Sequence, residues 1–91
     1  MHKLVWKKRA QTDLLNIVRT ISQDNPDAAE KLANEIESKA EQLSAHPKAF
    51  RLGRKRGTHE LVAHPNYLVI YRIQTDTVEV LRIKHVAQQW P

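Results

Sequence analysis

The sequence predicts an α+β domain: an N-terminal strand and an antiparallel helical hairpin, packed on an antiparallel β-sheet. Three observations predict it. Apolar residues recur with helical period over residues 8–22 and again over 26–45. From Thr58 onward the pattern changes to that of strands. The punctuation at Asp24-Asn25-Pro26-Asp27, His46-Pro47, Pro65-Asn66 and Gln74-Thr75-Asp76 falls between these segments. A chain of 91 residues has room for one domain, residues 1–91, and one modest core.

Residues 2–6, with Leu4, Val5 and Trp6, suit a short strand. Ala10, Leu14, Ile17, Val18 and Ile21 then mark one face of an amphipathic helix. Lys7, Lys8 and Arg9 crowd its N-terminus, where the helix dipole disfavours cations. A local rule broken there points to a binding surface. Asn25 suits an N-cap and Pro26 a first helical position, so a second helix starts at 26. It carries Ala29, Leu32, Ala33, Ile36, Ala40 and Leu43 on one face and Glu30, Asn34, Glu37 and Glu41 on the other. His46-Pro47 ends it, because a residue before proline avoids the helical region.

Residues 48–57 read as a basic loop holding both glycines, Gly53 and Gly57. Three strands follow, over 58–64, 67–73 and 77–85. The middle one is nearly continuously apolar, as a strand covered on both faces would be. The expected core is Leu14, Ile17, Ile21, Leu32, Ile36, Leu43, Val69, Tyr71, Val80 and Ile83.

Composition narrows the function classes. The absence of cysteine excludes a disulfide scaffold, a thiolate zinc site and thiol catalysis, and fits a reducing compartment. No apolar run approaches the roughly 20 residues of a membrane span, and the first nine residues hold no signal-like apolar stretch. The expectation is a soluble, cytoplasmic domain with no cofactor, no metal and no membrane partner. The formal charge of +5 is uneven, +1 over residues 1–50 and +4 over 51–91. A basic C-terminal half predicts an anionic partner, nucleic acid or acidic protein.

No generic catalytic motif is present. Arg51, Arg54, Lys55 and Arg56 could neutralise several phosphates without reading bases. Trp90 could stack on a base or meet a partner. A second set is dispersed over the strands: His59, Glu60, His64, Arg72, Arg82 and His85. Metal-free RNA cleavage needs a base, cations against phosphorane charge and an acid. Within this set His85 would be the acid, Glu60 or His64 the base, and Arg72 or Arg82 the phosphate clamp. Simple alternation puts Glu60 and His64 on one side of their strand and Arg82 opposite to His85. His59 and His64 are poorly spaced with carboxylates for a metal site.

The block from Arg56 to Ile73, with its G-x-x-E-L-V-x-H-P-N-Y…Y-R order, resembles the central segment of the RelE/ParE superfamily of toxins from type II toxin–antitoxin systems. Val78–His85, the ending Gln88-Gln89-Trp90-Pro91, the start Val5-Trp6 with Asp13-Leu14, and Ser44-Ala45-His46-Pro47 resemble it too. The resemblance implies a RelE/ParE-like fold and a small toxin neutralised by a cognate antitoxin. It implies one of two targets. ParE-like members poison DNA gyrase and are not known as nucleases; RelE-like members cut mRNA on the ribosome. The RelE-like pattern places lysines near His59 and Leu61 and an arginine at Leu68, and this chain has none of the three. Some ribonuclease members use histidines instead, one of them near His85. The helical hairpin and the Arg82-Ile83-x-His85 ending favour the ParE-like side.

Overall fold

The computed structural model describes residues 2–88. The chain runs β1 (Lys3–Trp6), α1 (Lys8–Ser22), α2 (Pro26–Ala45), β2 (Arg51–Leu52), β3 (His59–His64), β4 (Tyr67–Ile73) and β5 (Thr77–His85). Both helices and the last two strands have the bounds that the periodicity predicts. The two-residue β2 lies inside the expected loop and carries no pattern of its own.

The five strands form one sheet in the order β1-β5-β4-β3-β2. β5, β4, β3 and β2 each run antiparallel to the next. β1 pairs with β5 in parallel, Lys3 opposite Thr77 through Trp6 opposite Val80. The sheet is therefore mixed rather than wholly antiparallel. Alternation in a sequence dictates which side chains share a face, but not the direction of the neighbouring strand.

The hairpin covers one face. Asn25 Oδ1 accepts the Ala28 N–H at 3.1 Å and Pro26 opens α2, so that helix has a side-chain cap. α1 has none. Its N-cap is Lys7, its first turn holds no acid, and it is anchored instead by Lys7 N–H donating to the Val80 carbonyl at 2.9 Å. The core cluster takes Ala10, Leu32, Ile36 and Leu43 from the helices and Leu61, Val69, Tyr71, Val78, Val80 and Ile83 from the sheet. Leu14, Ile17 and Ile21 pack against it half-buried. Every residue expected in the core thus lies in it or against it.

Two bulges decide which side chains reach that core. In β5, Ile70 pairs with Arg82 and Tyr71 with Val80, so Leu81 is the extra residue. Val80 and Ile83 are three apart, and strict alternation would put them on opposite faces. The bulge lets both enter the core, where they are 0% and 2% exposed. In β3, Val62 pairs with Leu68 and His64 with Tyr67, so Ala63 is extra. The bulge moves His64 to the helix-covered face with Tyr67, away from Glu60, which pairs with Ile70. The expectation that Glu60 and His64 share a face is corrected by this one inserted residue.

Candidate nucleic-acid interface

The face of the sheet away from the helices carries Arg72, Arg82 and Lys84, whose register partners Glu79, Ile70 and Leu68 also lie there. These side chains line a groove of about 600 Å³ together with Lys7, Lys8 and Arg9 from the start of α1 and Lys55 and Arg56 from the β2–β3 loop. Among the described residues eleven line it; eight of these are Lys or Arg, and none is acidic or aromatic. Gly57, Thr58 and Leu81 complete it.

The loop is an ordered turn. Gly53 N–H donates to the Thr58 carbonyl at 2.8 Å, and Thr58 N–H to the Lys55 carbonyl at 3.2 Å. The Thr58 hydroxyl, 4% exposed, also donates to the Lys55 carbonyl. A Cβ at Gly53 would collide with that hydroxyl, and Gly57 sits at φ +84°, so both positions need glycine. The close turn swings Lys55 and Arg56 into the groove.

Within the groove the cations divide into two kinds. Arg72 is held by Glu79 through Nε at 2.9 Å and Nη2. Lys7 Nζ lies 3.6 Å from the same carboxylate. The Arg72 hydrogen bond holds the Glu79 carboxyl below its usual range, with further help from Gln74 and Lys7. Arg82 is held by Asp13 of α1 through two bonds, 2.7 and 3.0 Å. Asp13 Oδ2 also accepts the Ile83 N–H at 2.9 Å. β1 stops at Val80, so the edge of β5 beyond it is free, and a carboxylate takes the place of a strand there. The Asp13 hydrogen bonds push the Arg82 pKa up, keeping the guanidinium firmly charged. By contrast, Lys8, Arg9, Lys55, Arg56 and Lys84 have no carboxylate within 4 Å among the described residues.

The other expected site residues go elsewhere. Glu60 is 4% exposed, with Arg51 Nε at 3.0 Å and Arg54 Nε at 4.0 Å. Arg51 and Arg54 thus neutralise a buried carboxylate at the β2–β3 edge, and only Lys55 and Arg56 of the four loop cations reach the groove. His59 stacks on Tyr71, ring centroids 5.3 Å apart. Tyr71 donates its hydroxyl to the Pro47 carbonyl at 2.5 Å, and burial pushes its pKa up to about 12.

His64, Tyr67 and His85 form a row across β3, β4 and β5 on the helix-covered face. Tyr67 meets His85 edge-on at 5.3 Å and His64 at 6.0 Å. Each imidazole Nδ1 accepts a backbone N–H two residues on, Asn66 for His64 and Ala87 for His85, both at 3.1 Å. A neutral ring so bonded carries its proton on Nε2. His85 lines a separate hollow of about 440 Å³ with Asp13, Tyr67, Ile83 and Gln88. The expected acid His85 and one expected base, His64, are therefore on one face of the sheet, and the other base, Glu60, and the clamps Arg72 and Arg82 on the other. Trp90 lies outside the described residues. Among the described residues no group of three His, Cys, Asp or Glu could hold a metal ion, and no helix is long and apolar enough to cross a membrane.

Sequence reasoning did not name Lys8, Arg9 or Lys84 as site residues. The first two did leave a signal, three cations crowding an uncapped helix start. Lys84 left none, because a lysine on a half-exposed strand is ordinary.

Residues 4–90 match the model of the ParE toxin of the type II toxin–antitoxin system parDE. The chain is 39% identical to the Y4kP protein of Sinorhizobium fredii over 98% of its length and 93% of that protein. It is 34% identical to toxin RelE2 of Caulobacter vibrioides, covering 97% of this chain and 99% of that one. In fold it matches a chain of the chromosomal ParDE system of P. aeruginosa, with a TM-score of 0.84 at 24% identity over 94% of this chain and 97% of the other. Helical hairpin, mixed sheet and matched length agree, and the chain belongs to the ParE toxin family of type II toxin–antitoxin systems, within the RelE/ParE superfamily.

Proposed function

We propose that this toxin acts as a ParE-like inhibitor of DNA gyrase and not as a ribosome-dependent mRNA endonuclease. One observation carries the reading: the acid His85 projects from one face of the sheet, and the clamps Arg72 and Arg82 and the base Glu60 from the other, so that only His64 shares a face with the acid. Glu60 is engaged with Arg51 and Arg54. Arg72 and Arg82 are engaged with Glu79 and Asp13. Among the described residues, the groove that does hold unpaired cations is lined by no His, Asp, Glu or Tyr. It can bind an anion but has no side chain suited to moving a proton at neutral pH. In-cell induction separates the two targets. The gyrase reading expects gyrase-linked DNA breaks, an SOS response and intact transcripts. Transcript cuts at A-site codons without DNA damage would overturn it.

A second reading keeps one observation of its own. The Tyr67–His85 contact, beside Asp13 in its hollow, brings together an imidazole and a phenol. In an endonuclease acting there, His85 would be the general acid. Its replacement by glutamine would then lower cleavage about 10²–10⁴-fold.

A toxin of this family has a cognate antitoxin. Its site on this chain is the apolar groove of about 610 Å³ over β1, α1 and α2, lined by Leu4, Trp6, Leu14, Leu15, Val18 and Ala33. Leu15 is 56% exposed there. Glu37 and Glu41 form one rim, which suits an amphipathic antitoxin segment with basic residues on that flank. Its acidic residues would face the loop cations, Arg56 first, because Arg51 and Arg54 already hold Glu60. Calorimetry with the product of the adjacent reading frame tests this: Leu15→Glu is expected to weaken binding at least tenfold, and unchanged affinity would refute the placement.

A further inference from the structure

The basic groove lies on the face of the sheet that the helical hairpin does not cover, and Glu79 and Asp13 neutralise only part of its charge. We infer that it binds the phosphate backbone of duplex DNA and holds it without cutting it. Three features point there. Five of its cations, Lys8, Arg9, Lys55, Arg56 and Lys84, lack a carboxylate within 4 Å among the described residues. They come from three separate elements, α1, the β2–β3 loop and β5, so the positive surface is assembled by the fold and is not a single solvated run. Among the described residues the lining contains no aromatic ring. Proteins that hold single strands stack exposed bases on aromatic side chains, whereas a duplex hides its bases and offers phosphates.

The shape of the groove supports the same occupant. Its loop wall is fixed by the Gly53–Thr58 turn, so Lys55 and Arg56 are presented at little entropic cost. Its opposite wall is the start of α1, whose first turn holds no acid and whose cap offers no side-chain acceptor. Cations at that helix start oppose the dipole, and a bound phosphate would reverse the sign of the interaction. Arg72 and Arg82 line the floor but are held by Glu79 and Asp13. The five unpaired cations therefore carry the binding. With no acidic or imidazole group in the lining among the described residues, it is a holding site only.

The choice of DNA over duplex RNA rests on the gyrase reading above; the choice of a duplex over a single strand rests on the groove itself. A toxin so equipped would grip DNA beside its protein target.

The test is fluorescence anisotropy of the purified toxin with a 20-base-pair DNA duplex, the matching RNA duplex and a single-stranded RNA of equal length, across a salt series. Each phosphate neutralised on duplex DNA contributes about −0.9 to the slope of log K against log salt. Five cations thus predict a slope of about −3 to −4.5. The variant Lys55→Gln/Arg56→Gln/Lys84→Gln should lose at least tenfold in affinity and make the slope shallower by about 2–3. Lys39→Gln on α2, outside the groove, should change neither. Thermal melts of both variants guard against misfolding, and the single Lys84→Gln, expected to make the slope shallower by about 1, serves if the triple variant melts early. Tighter binding of single-stranded RNA than of duplex DNA, equal binding of a polyglutamate peptide, or an unchanged slope in the variants would overturn the inference. Preference for the RNA duplex would overturn its assignment to DNA. Gyrase-linked breaks in cells without DNA binding in the cuvette would sink this inference alone; DNA binding with no breaks would sink the gyrase reading alone.

Discussion

The helix-covered face of the sheet and the open face solve opposite problems with the same three central strands. On the covered face Val69, Tyr71, Val78 and Val80 are fully buried; the Tyr71 hydroxyl is bonded to Pro47, whereas His59 Nδ1 is buried without a hydrogen-bond partner among the described residues. On the open face Glu60, Glu79, Arg72 and Arg82 are matched in ion pairs, with surplus cations left beside them. Burying apolar area stabilises the fold, whereas surplus like charge stabilises nothing in the folded monomer and serves only a partner. Substitutions on the two faces should accordingly separate stability from binding.

The largest effect belongs to the covered face. Leu43, 0% exposed, should cost about 2–5 kcal/mol when changed to alanine, while half-buried Ile17 should cost less. For a domain of this size each kcal/mol corresponds to about 4–8 °C in Tm. Equal losses at the two sites in calorimetric melts would mean that α1 is buried as deeply as α2.

Next comes an alkaline transition. The Tyr71 pKa rises from 10 to about 12 in the fold. Above pH 10 the unfolded chain ionises first, so stability present below pH 10 is lost as pH rises toward 12, by about 2 kcal/mol. Urea melts at pH 8, 10 and 11.5 should show it, and Tyr71→Phe should abolish the extra loss while costing about 1 kcal/mol at neutral pH through the Pro47 bond.

Asp13→Asn joins the two faces. It removes a charge-assisted pair at the β5 edge and should cost about 1–2 kcal/mol. It also frees Arg82 into the groove, so the same variant should bind duplex DNA more tightly. A variant that loses stability and affinity together would contradict the division of the faces.

His85→Gln should be milder, about 0.5–1 kcal/mol, since one backbone bond to the ring is at stake. Toxicity through gyrase should survive it. Smallest of all is a titration: the Glu79 carboxyl should titrate below the ordinary range and move back toward it in Arg72→Gln, as followed by carbon-detected NMR. Stability from this pair is present above the ordinary carboxylate pKa and is lost as pH falls through the depressed value. An unmoved titration would break the pairing.

Much of the covered face was legible in the chain. Helix period placed Leu32, Ile36 and Leu43; the Asn25-Pro26 pair set the start of α2; and the apolar run at 67–73 marked the central strand. These are local rules, and each acts within a few residues. The open face was half legible. The cluster at 54–56 and the cations before α1 were visible as anomalies, but not as one surface, because they are some 45 residues apart and meet only when the sheet orders β2 and β3 on the far side of β4 from β5.

The sequence by itself therefore determined every element but β2, the family block from Gly57 to Arg72 and the positive charge of the C-terminal half. Tertiary structure alone decided three matters. It set the direction of β1, because periodicity carries no information about a neighbour's polarity. It set the sides of His64 and Ile83, because one inserted residue at Ala63 or Leu81 reverses everything beyond it, and a bulge has no residue type of its own. And it chose which cations stay unpaired. Arg51, Arg72 and Arg82 read in the chain like Arg56 and Lys84, and only the fold brings Glu60, Glu79 and Asp13 within hydrogen-bond reach of the first three and of neither of the last two.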